Sequence, residues 1–366
     1  MTGPRRIGRY TWFAVRAIAA GVVFSRLARA ARTAPPVRPT ATPLGSISIV
    51  VPARDEVDRI GPLLTRTVGA PGVAEVIVVD DGSCDATAEL STRLGARVVG
   101  GGELPPGWAG KAWALEQGLL AATTKWVVTL DADTRPDPAL ATALVARAEA
   151  EHLDLLTVAG RFDCPTAPSR WLHAAMLTTL VYRFGPPGTR PGRADRTMAN
   201  GQCMVVRRER FLARGGLTAV AGHLVEDVAL ARAMAQDGQA VAFLDASDLL
   251  TVRMFESIED VWRGWGRSLA LPGVEPRRRQ LVDLAVIVLA QVLPLPRLLA
   301  GRGDLLDVAL AGARLGTLAG TRRAYDRVDT AYWLSPLADP IAAVAVARGI
   351  VRPRQAWRGR DYGGPP

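Results

Sequence analysis

Cysteine, lysine and histidine are all scarce in this chain, and each scarcity removes a class of function. Three cysteines, Cys84, Cys164 and Cys203, cannot form an even set of disulfides and stand at no metal-ligand spacing, which fits a reducing compartment. His223 has no second histidine spaced to join it on a metal ion, so it reads as a structural or acceptor-side residue. Lys111 and Lys125 are the only lysines among 45 basic residues, consistent with a genomic preference for arginine. No Gly-x-Gly-x-x-Gly follows the first apolar run, which argues against an ordinary dinucleotide-binding fold. Acidic residues are wholly missing from positions 1–45.

That last absence shapes the charge distribution. Residues 1–45 carry a net +8 and residues 271–366 a net +6, which leaves 46–270 at −4 within a total of +10. A nucleic-acid-binding core should itself be basic, whereas basic flanks around an acidic core point to anionic lipid headgroups. A hydrophobic content of 49% and a mean hydropathy of +0.13 lean the same way. The length of 366 residues allows one large domain or two.

The central stretch is Trp126-Val127-Val128-Thr129-Leu130-Asp131-Ala132-Asp133-Thr134. Its Val-rich run lacks period-2 alternation, as expected of a parallel strand covered on both faces, and Pro136 and Pro138 stop it. Ligands of open α/β sheets bind at such carboxyl ends. With one residue between them, Asp131 and Asp133 would project to the same side of an extended chain, where their repulsion invites Mg²⁺ or Mn²⁺. The alternative is a solvated turn, with Asp133 capping a helix that begins near Pro138.

Before it, strands are expected at Ile47–Pro52, Glu75–Val79 and Arg97–Val99, with helices between them, the second capped by Asp85. This β-α-β-α-β order predicts a doubly wound α/β sheet. A helix is expected over Lys111–Ala122, a strand over 153–159, a helix over 169–184, a Gly/Pro/Arg loop over 185–196 as a lid, and a strand within 198–208. Glu226 and Asp227 then open a helix, where the dipole favours carboxylates and capping would explain both.

The flanks look membrane-seeking. Residues 10–30 read as an amphipathic or in-plane helix interrupted by Arg16 and Arg26, shorter than the about 20 apolar residues of a spanning helix. A Pro-rich linker follows over 33–43. Apolar stretches at 281–300 and 305–320 lie between basic segments (Arg277, Arg278, Arg279 and Arg322, Arg323, Arg327), which predicts a hairpin dipping from the cytoplasmic side. The stretch 333–351, followed by Arg352, Arg354, Arg358 and Arg360, is expected to lie at the interface.

Taken together, Pro52-Ala53-Arg54-Asp55-Glu56, Asp80-Asp81-Gly82-Ser83, Gly110-Lys111-Ala112, Asp131-Ala132-Asp133 and Glu226-Asp227 resemble the motifs of family 2 inverting glycosyltransferases over roughly 46–270. Asp55 stands where that family commonly has Asn. Gly107-Trp108-x-Gly110-Lys111-x-Trp113, Trp333-Leu334-Ser335-Pro336 and Trp357-Arg358-Gly359-Arg360 are similar to a narrower group, the hopene-associated and carotenoid (diaponeurosporenoate-type) membrane enzymes. The Gln-x-x-Arg-Trp motif of processive synthases is missing; the nearest segment is Trp262-Arg263-Gly264-Trp265-Gly266-Arg267.

The resemblance implies a GT-A fold with a mixed sheet and three parts: a basic N-terminal helix and linker (1–45), a catalytic domain (46–270) and a membrane-associated helical region (271–366). It implies Asp227 as catalytic base with Glu226 orienting it, and Asp133 as metal ligand supported by Asp131. Pro52, Arg54, Glu56, Asp80, Asp81, Lys111 and Asp131 would contact the nucleotide sugar. The expected cofactor is Mg²⁺ or Mn²⁺, the donor a UDP-sugar, and the acceptor an isoprenoid, carotenoid or hopanoid-like lipid. The catalytic domain would face the cytoplasm at the cell membrane, with no nucleic-acid partner. Competing readings are a nucleotidyltransferase, whose Gly-rich first loop is not seen here, and a non-catalytic nucleotide-binding scaffold at the membrane.

Overall fold

The computed structural model describes residues 4–40, 46–266, 268–352, 356–357 and 360–361. It divides into two compact units. One holds the sheets and comprises Ala34–Asp163, Arg190–Met254 and Gln355–Pro366; the other is helical and comprises Met1–Thr33, Cys164–Thr189 and Phe255–Arg354.

In the sheet unit the strands are β1 (Ile47–Ala53), β2 (Val73–Asp80), β3 (Arg97–Gly100), β4 (Trp126–Leu130), β5 (Thr134–Pro136), β6 (Leu155–Ala159), β7 (Arg161–Asp163), β8 (Cys203–Arg207), β9 (Val241–Asp245) and β10 (Leu250–Arg253). Seven form one sheet in the order β3-β2-β1-β4-β8-β6-β9. The pairs β1–β2, β1–β4, β2–β3 and β6–β9 are parallel, while β8 runs antiparallel to both β4 and β6. The doubly wound expectation therefore holds for the first four strands, and β8 makes the sheet mixed. Every residue of β1 and β4 is buried, so their unbroken Val/Ile/Leu runs reflect covered faces.

Several local expectations are corrected. The second crossover helix is Thr87–Arg93, and Asp85 does not cap it in the ordinary way; its carboxylate takes the Thr87 N–H (2.9 Å) and the Val57 N–H (3.2 Å), joining two loops. Asp133 caps no helix, because the next one begins only at Leu140, after β5. The segment 198–208 is strand only from Cys203. Within the supposed linker, Val37 is buried and its N–H reaches the Asp245 carbonyl at 2.8 Å; residues 41–45 lie outside the described residues.

The helical unit contains the Pro4–Ala30, Ala167–Phe184, Leu305–Thr321 and Asp339–Val351 helices and a continuous Arg277–Leu299 helix with a π-helical stretch at Val288–Val292. Gly8–Ala30 and Arg277–Leu299, each 23 residues, are long and apolar enough to cross a membrane by length and composition. The charges that interrupt these helices are paired inside the unit. Arg16 bonds Asp304 at 2.7 Å and also Asp307, whose other oxygen takes Arg297 at 3.0 Å. Arg314 pairs with Asp339 at 2.9 Å, and Arg26 with Asp283 at 3.0 Å. Buried ion pairs of this kind fix which faces meet rather than adding much net stability. Trp265 stacks on His173 with 4.0 Å between ring centres. Of the terminal Trp357-Arg358-Gly359-Arg360 motif, Arg358 and Gly359 lie outside the described residues, while Trp357 pairs with Arg360 and Ala356 with Asp361 in a short antiparallel ladder.

Candidate active site

The carboxyl edge of the main sheet gathers the acids. Ala53 is in register with Asp80, and Asp80 with Gly100, so the loops after β1, β2 and β3 leave the sheet at one level. The first two are stitched together. Ser83 Oγ receives the Asp55 N–H (3.0 Å) and donates to Asp80; Asp55 Oδ1 accepts the Cys84 N–H (2.8 Å), and Thr87 Oγ1 accepts the Glu56 N–H (2.9 Å). Asp55 has φ +52°, a left-handed conformation that Asn and Asp tolerate better than other residues, which accounts for the acid in the usual Asn position. Arg54 donates to the Asp81 carbonyl (3.2 Å) and lies 3.9 Å from its carboxylate. Pro52 is buried within β1, opposite Val79.

At the end of β4 the chain does not stay extended. The Thr134 N–H returns to the Asp131 carbonyl (3.1 Å), closing a turn around the two aspartates. Asp131 meets Lys111 Nζ at 2.8 Å, and its own N–H is fixed by the Gln202 carbonyl at 3.0 Å. Asp133 is anchored through its carbonyl, which takes the Arg253 N–H of β10 at 3.1 Å. Its Oδ1 is buried with no hydrogen-bond partner among the described residues. Burial, then the negative charges of Asp131 and Glu56, push its carboxyl up to about 7.

Glu226 and Asp227 open the Glu226–Gln236 helix, but neither is simply a cap. Glu226 pairs with Lys111 at 3.2 Å. Asp227 Oδ2 takes the Gly201 N–H (2.6 Å) and Oδ1 the Val228 N–H (2.8 Å), so each oxygen is held by an amide. Burial first and then Glu226 push Asp227 up to about 7, with Lys111 and the two amides opposing. Lys111, which burial alone would neutralise, is held firmly charged by Asp131 and Glu226. It is thus the cation between the two acid pairs.

Gly201 was not singled out from the sequence. A side chain there would sit 3.2 Å from both Asp227 Cβ and Lys111 Nζ, so any larger residue would press on both functional groups. Asn200 and Gln202 brace it by mutual side-chain and backbone bonds of 2.8 and 3.1 Å. A glycine between two amides in a loop feeding a strand is the sequence signal that could have found it. The 185–196 loop holds one 3-10 turn, Ala194–Arg196, and an Arg193–Asp195 ion pair at 3.0 Å.

Arg54 thus stands beside Asp55 and Asp81, Arg59 beside Glu56, and Lys111 beside Asp131 and Glu226, with its charge also acting on Asp133 and Asp227. The described residues contain no group of three or more ligating side chains that would cage an ion unaided. A hard divalent ion fits this set in another way: on Asp133, whose bare buried oxygen and raised affinity for positive charge suit it, with the remaining positions filled by phosphate oxygens and water.

Residues 48–213 match the family model described as Glycosyl transferase family 2. The chain carries a family 2 glycosyltransferase domain. Its GT-A-type fold is shared by the mannosyltransferase PcManGT from Pyrobaculum calidifontis, solved with GDP-Man and Mn²⁺, at a TM-score of 0.53 and 19% identity over 92% of this chain and 97% of that one. Among curated proteins, the glycosyltransferase domain is similar to the 4,4'-diaponeurosporenoate glycosyltransferases of Staphylococcus haemolyticus (25% identity, 66% of each chain) and Staphylococcus aureus (28% identity, 62% of this chain and 61% of that one). The match spans slightly less than two thirds of these relatives' length.

Proposed function

We propose that this chain is a membrane-associated, metal-assisted, inverting glycosyltransferase that moves a sugar from a nucleotide-diphosphate sugar to a lipid acceptor. The observation that carries the proposal is the pairing of two carboxyls, both raised to about 7 by burial and by neighbouring acids, in different settings. Asp133 offers a bare buried oxygen to a cation, and Asp227 is held by two amides as a base. The names of the relatives support a carotenoid-type acceptor. GDP-Man in the solved neighbour means that GDP-sugars belong beside UDP-sugars as candidate donors.

In this reading Asp133, supported by Asp131, holds Mg²⁺ or Mn²⁺, which when bound neutralises charge on the departing diphosphate. Glu56, Asp80 and Asp81 accept hydrogen bonds from the nucleoside, within a turn shaped by Pro52, and Arg54 and Lys111 supply positive charge to the phosphates. Asp227 takes the proton of the acceptor hydroxyl as that oxygen bonds to the anomeric carbon from the side opposite the breaking bond to phosphate, which inverts the centre. Glu226, fixed by Lys111, raises the basicity of Asp227.

The helical unit supports membrane association. Its Gly8–Ala30 and Arg277–Leu299 helices are long and apolar enough to cross a membrane, and Tyr10 (70% exposed), Ile18 (69%) and Leu305 (87%) leave large apolar side chains uncovered there. The basic segments flanking the 281–300 and 305–320 stretches favour a cytoplasmic orientation. The test is a divalent-ion-dependent assay of membrane-bound enzyme against UDP- and GDP-sugars with extracted host lipids. A new glycolipid whose formation is lost in Asp227→Asn supports the proposal; turnover unchanged in that variant refutes it.

A further inference from the structure

The helical unit also carries a cationic cleft that transfer at the sheet edge does not use. The Ile258–Gly264 and Asp339–Val351 helices approach where Gly266 and Gly349 leave no room for side chains; a Cβ on Gly349 would come within 2.8 Å of Ala270 Cβ. Above this floor lies a shallow cleft, open to solvent, walled by Trp262, Arg263, Arg348 and Arg352. The Arg348 guanidinium stands 5.8 Å from the centre of the Trp262 ring.

Arginine in a last helical turn commonly offsets the helix dipole. That role needs one cation per helix end and no cleft, whereas three guanidiniums surround this one, and no carboxylate lines it among the described residues. Arg263 shares its charge with Glu259, one turn back on its own helix. Arg348 and Arg352 have no carboxylate partner among the described residues. Three guanidinium forks around an aromatic wall make a receptor for a phosphate group.

The surroundings indicate what bears that phosphate. Ile341, Val344 and Val351 are exposed, and their spacing of three and seven residues places them on the Arg348 face of the Asp339–Val351 helix. An apolar stripe beside a cationic cleft with a tryptophan is the arrangement of the headgroup boundary of a bilayer, where arginine meets phosphate and aliphatic side chains meet acyl chains.

We propose that this cleft binds the phosphate of an anionic membrane lipid, with the lipid's chains lying along Ile341, Val344 and Val351. The inference rests on the membrane association proposed above and adds a specific site to it.

The experiment is co-sedimentation of the full-length protein with phosphatidylcholine vesicles, with and without phosphatidylglycerol. The variants are R263Q/R348Q/R352Q and a charge-matched control, R322Q/R323Q/R327Q. The arginines of the cleft are exposed, so both variants should keep the wild-type melting temperature. The expected result is a preference for phosphatidylglycerol vesicles that drops about tenfold or more in the cleft variant and much less in the control. Equal losses in the two variants would reduce the effect to net charge and overturn the site. A glycerol phosphate-induced thermal shift that only the cleft variant loses, with no vesicle preference, would give the cleft to a soluble phosphate and overturn the lipid assignment. Wild-type binding to neutral and anionic vesicles alike would leave membrane association standing and the cleft proposal refuted; no binding to either would refute both.

Discussion

The two partners of Asp227 should move the acid limb of activity in opposite directions. A base held up to about 7 is roughly one-tenth ionised at pH 6 and nine-tenths at pH 8, so kcat/KM should rise about tenfold for each pH unit on the acid side and level off near pH 8. Glu226 raises Asp227 by like charge and Lys111 lowers it by opposite charge. Replacing a close charge typically changes a carboxyl by about one pH unit or more, about 1.4 kcal/mol each. Glu226→Gln should therefore bring the limb down to about 6, and Lys111→Gln should take it up to about 8. Lys111→Gln should also lower the plateau, because Asp131 and Glu226 lose their shared cation. The assay is kcat/KM against pH at saturating divalent ion, where Asp133, engaged by the cation, no longer titrates in this range. Limbs that stay put in both variants, or that move the same way, would refute Asp227 as the base and the field around it as the cause.

Asp133→Asn should abolish ion-dependent turnover while raising the melting temperature of the metal-free protein by a few degrees above pH 7. The sign follows from linkage: a carboxyl with an ordinary value of 3.8 that is held near 7 when folded binds more protons folded than unfolded. Stability therefore falls as pH rises through that window, and the penalty is full above it. Thermal melts at pH 5 and pH 8 check this, the variant gaining more at the higher pH than at the lower. Gly201→Ala should lower kcat/KM roughly a hundredfold with little change in donor affinity, since a Cβ would displace the amide that aims Asp227; steady-state kinetics with donor binding by calorimetry separate the two. Arg16→Met removes one member of a buried ionic network and leaves Asp307 with Arg297 as its remaining cation, at a cost of about 3 kcal/mol. Denaturant unfolding should show that loss, and Arg16→Lys, which keeps a cation beside Asp304 and Asp307, should recover part of it.

Much of the sheet edge was legible in the sequence because its strands are mainly apolar runs followed closely by acids. β1, β2 and β4 fall where Ile47, Val76 and Trp126 announce them, and the acids follow in the connecting loops. The antiparallel β8 was not legible, since a strand's direction is set by where its partners lie and not by its own composition. At Asp131 and Asp133 the strand has ended at Leu130 and Thr134 closes a turn on the Asp131 carbonyl, a departure from extended geometry that period-2 patterning does not encode. Lys111 was foreseen as a phosphate contact, but its position between Asp131 and Glu226 depends on residues 20 and 115 positions away, which no local pattern encodes. The same holds for Arg16, read as an interruption of an apolar helix and found paired with Asp304 and Asp307.

The central claim is that Asp133 and a divalent ion act together at the sheet edge on a nucleotide sugar whose glycosyl group goes to a lipid. The most direct measurement is mass detection of glycolipid formed by membrane-bound enzyme from each donor, with Mn²⁺ or Mg²⁺ and after chelation, for the wild type and Asp133→Asn. The account predicts product from a UDP- or GDP-sugar that disappears on chelation, returns with the ion in the wild type, and does not return in the variant. Product that survives chelation, or that Asp133→Asn makes at the wild-type rate, would contradict it.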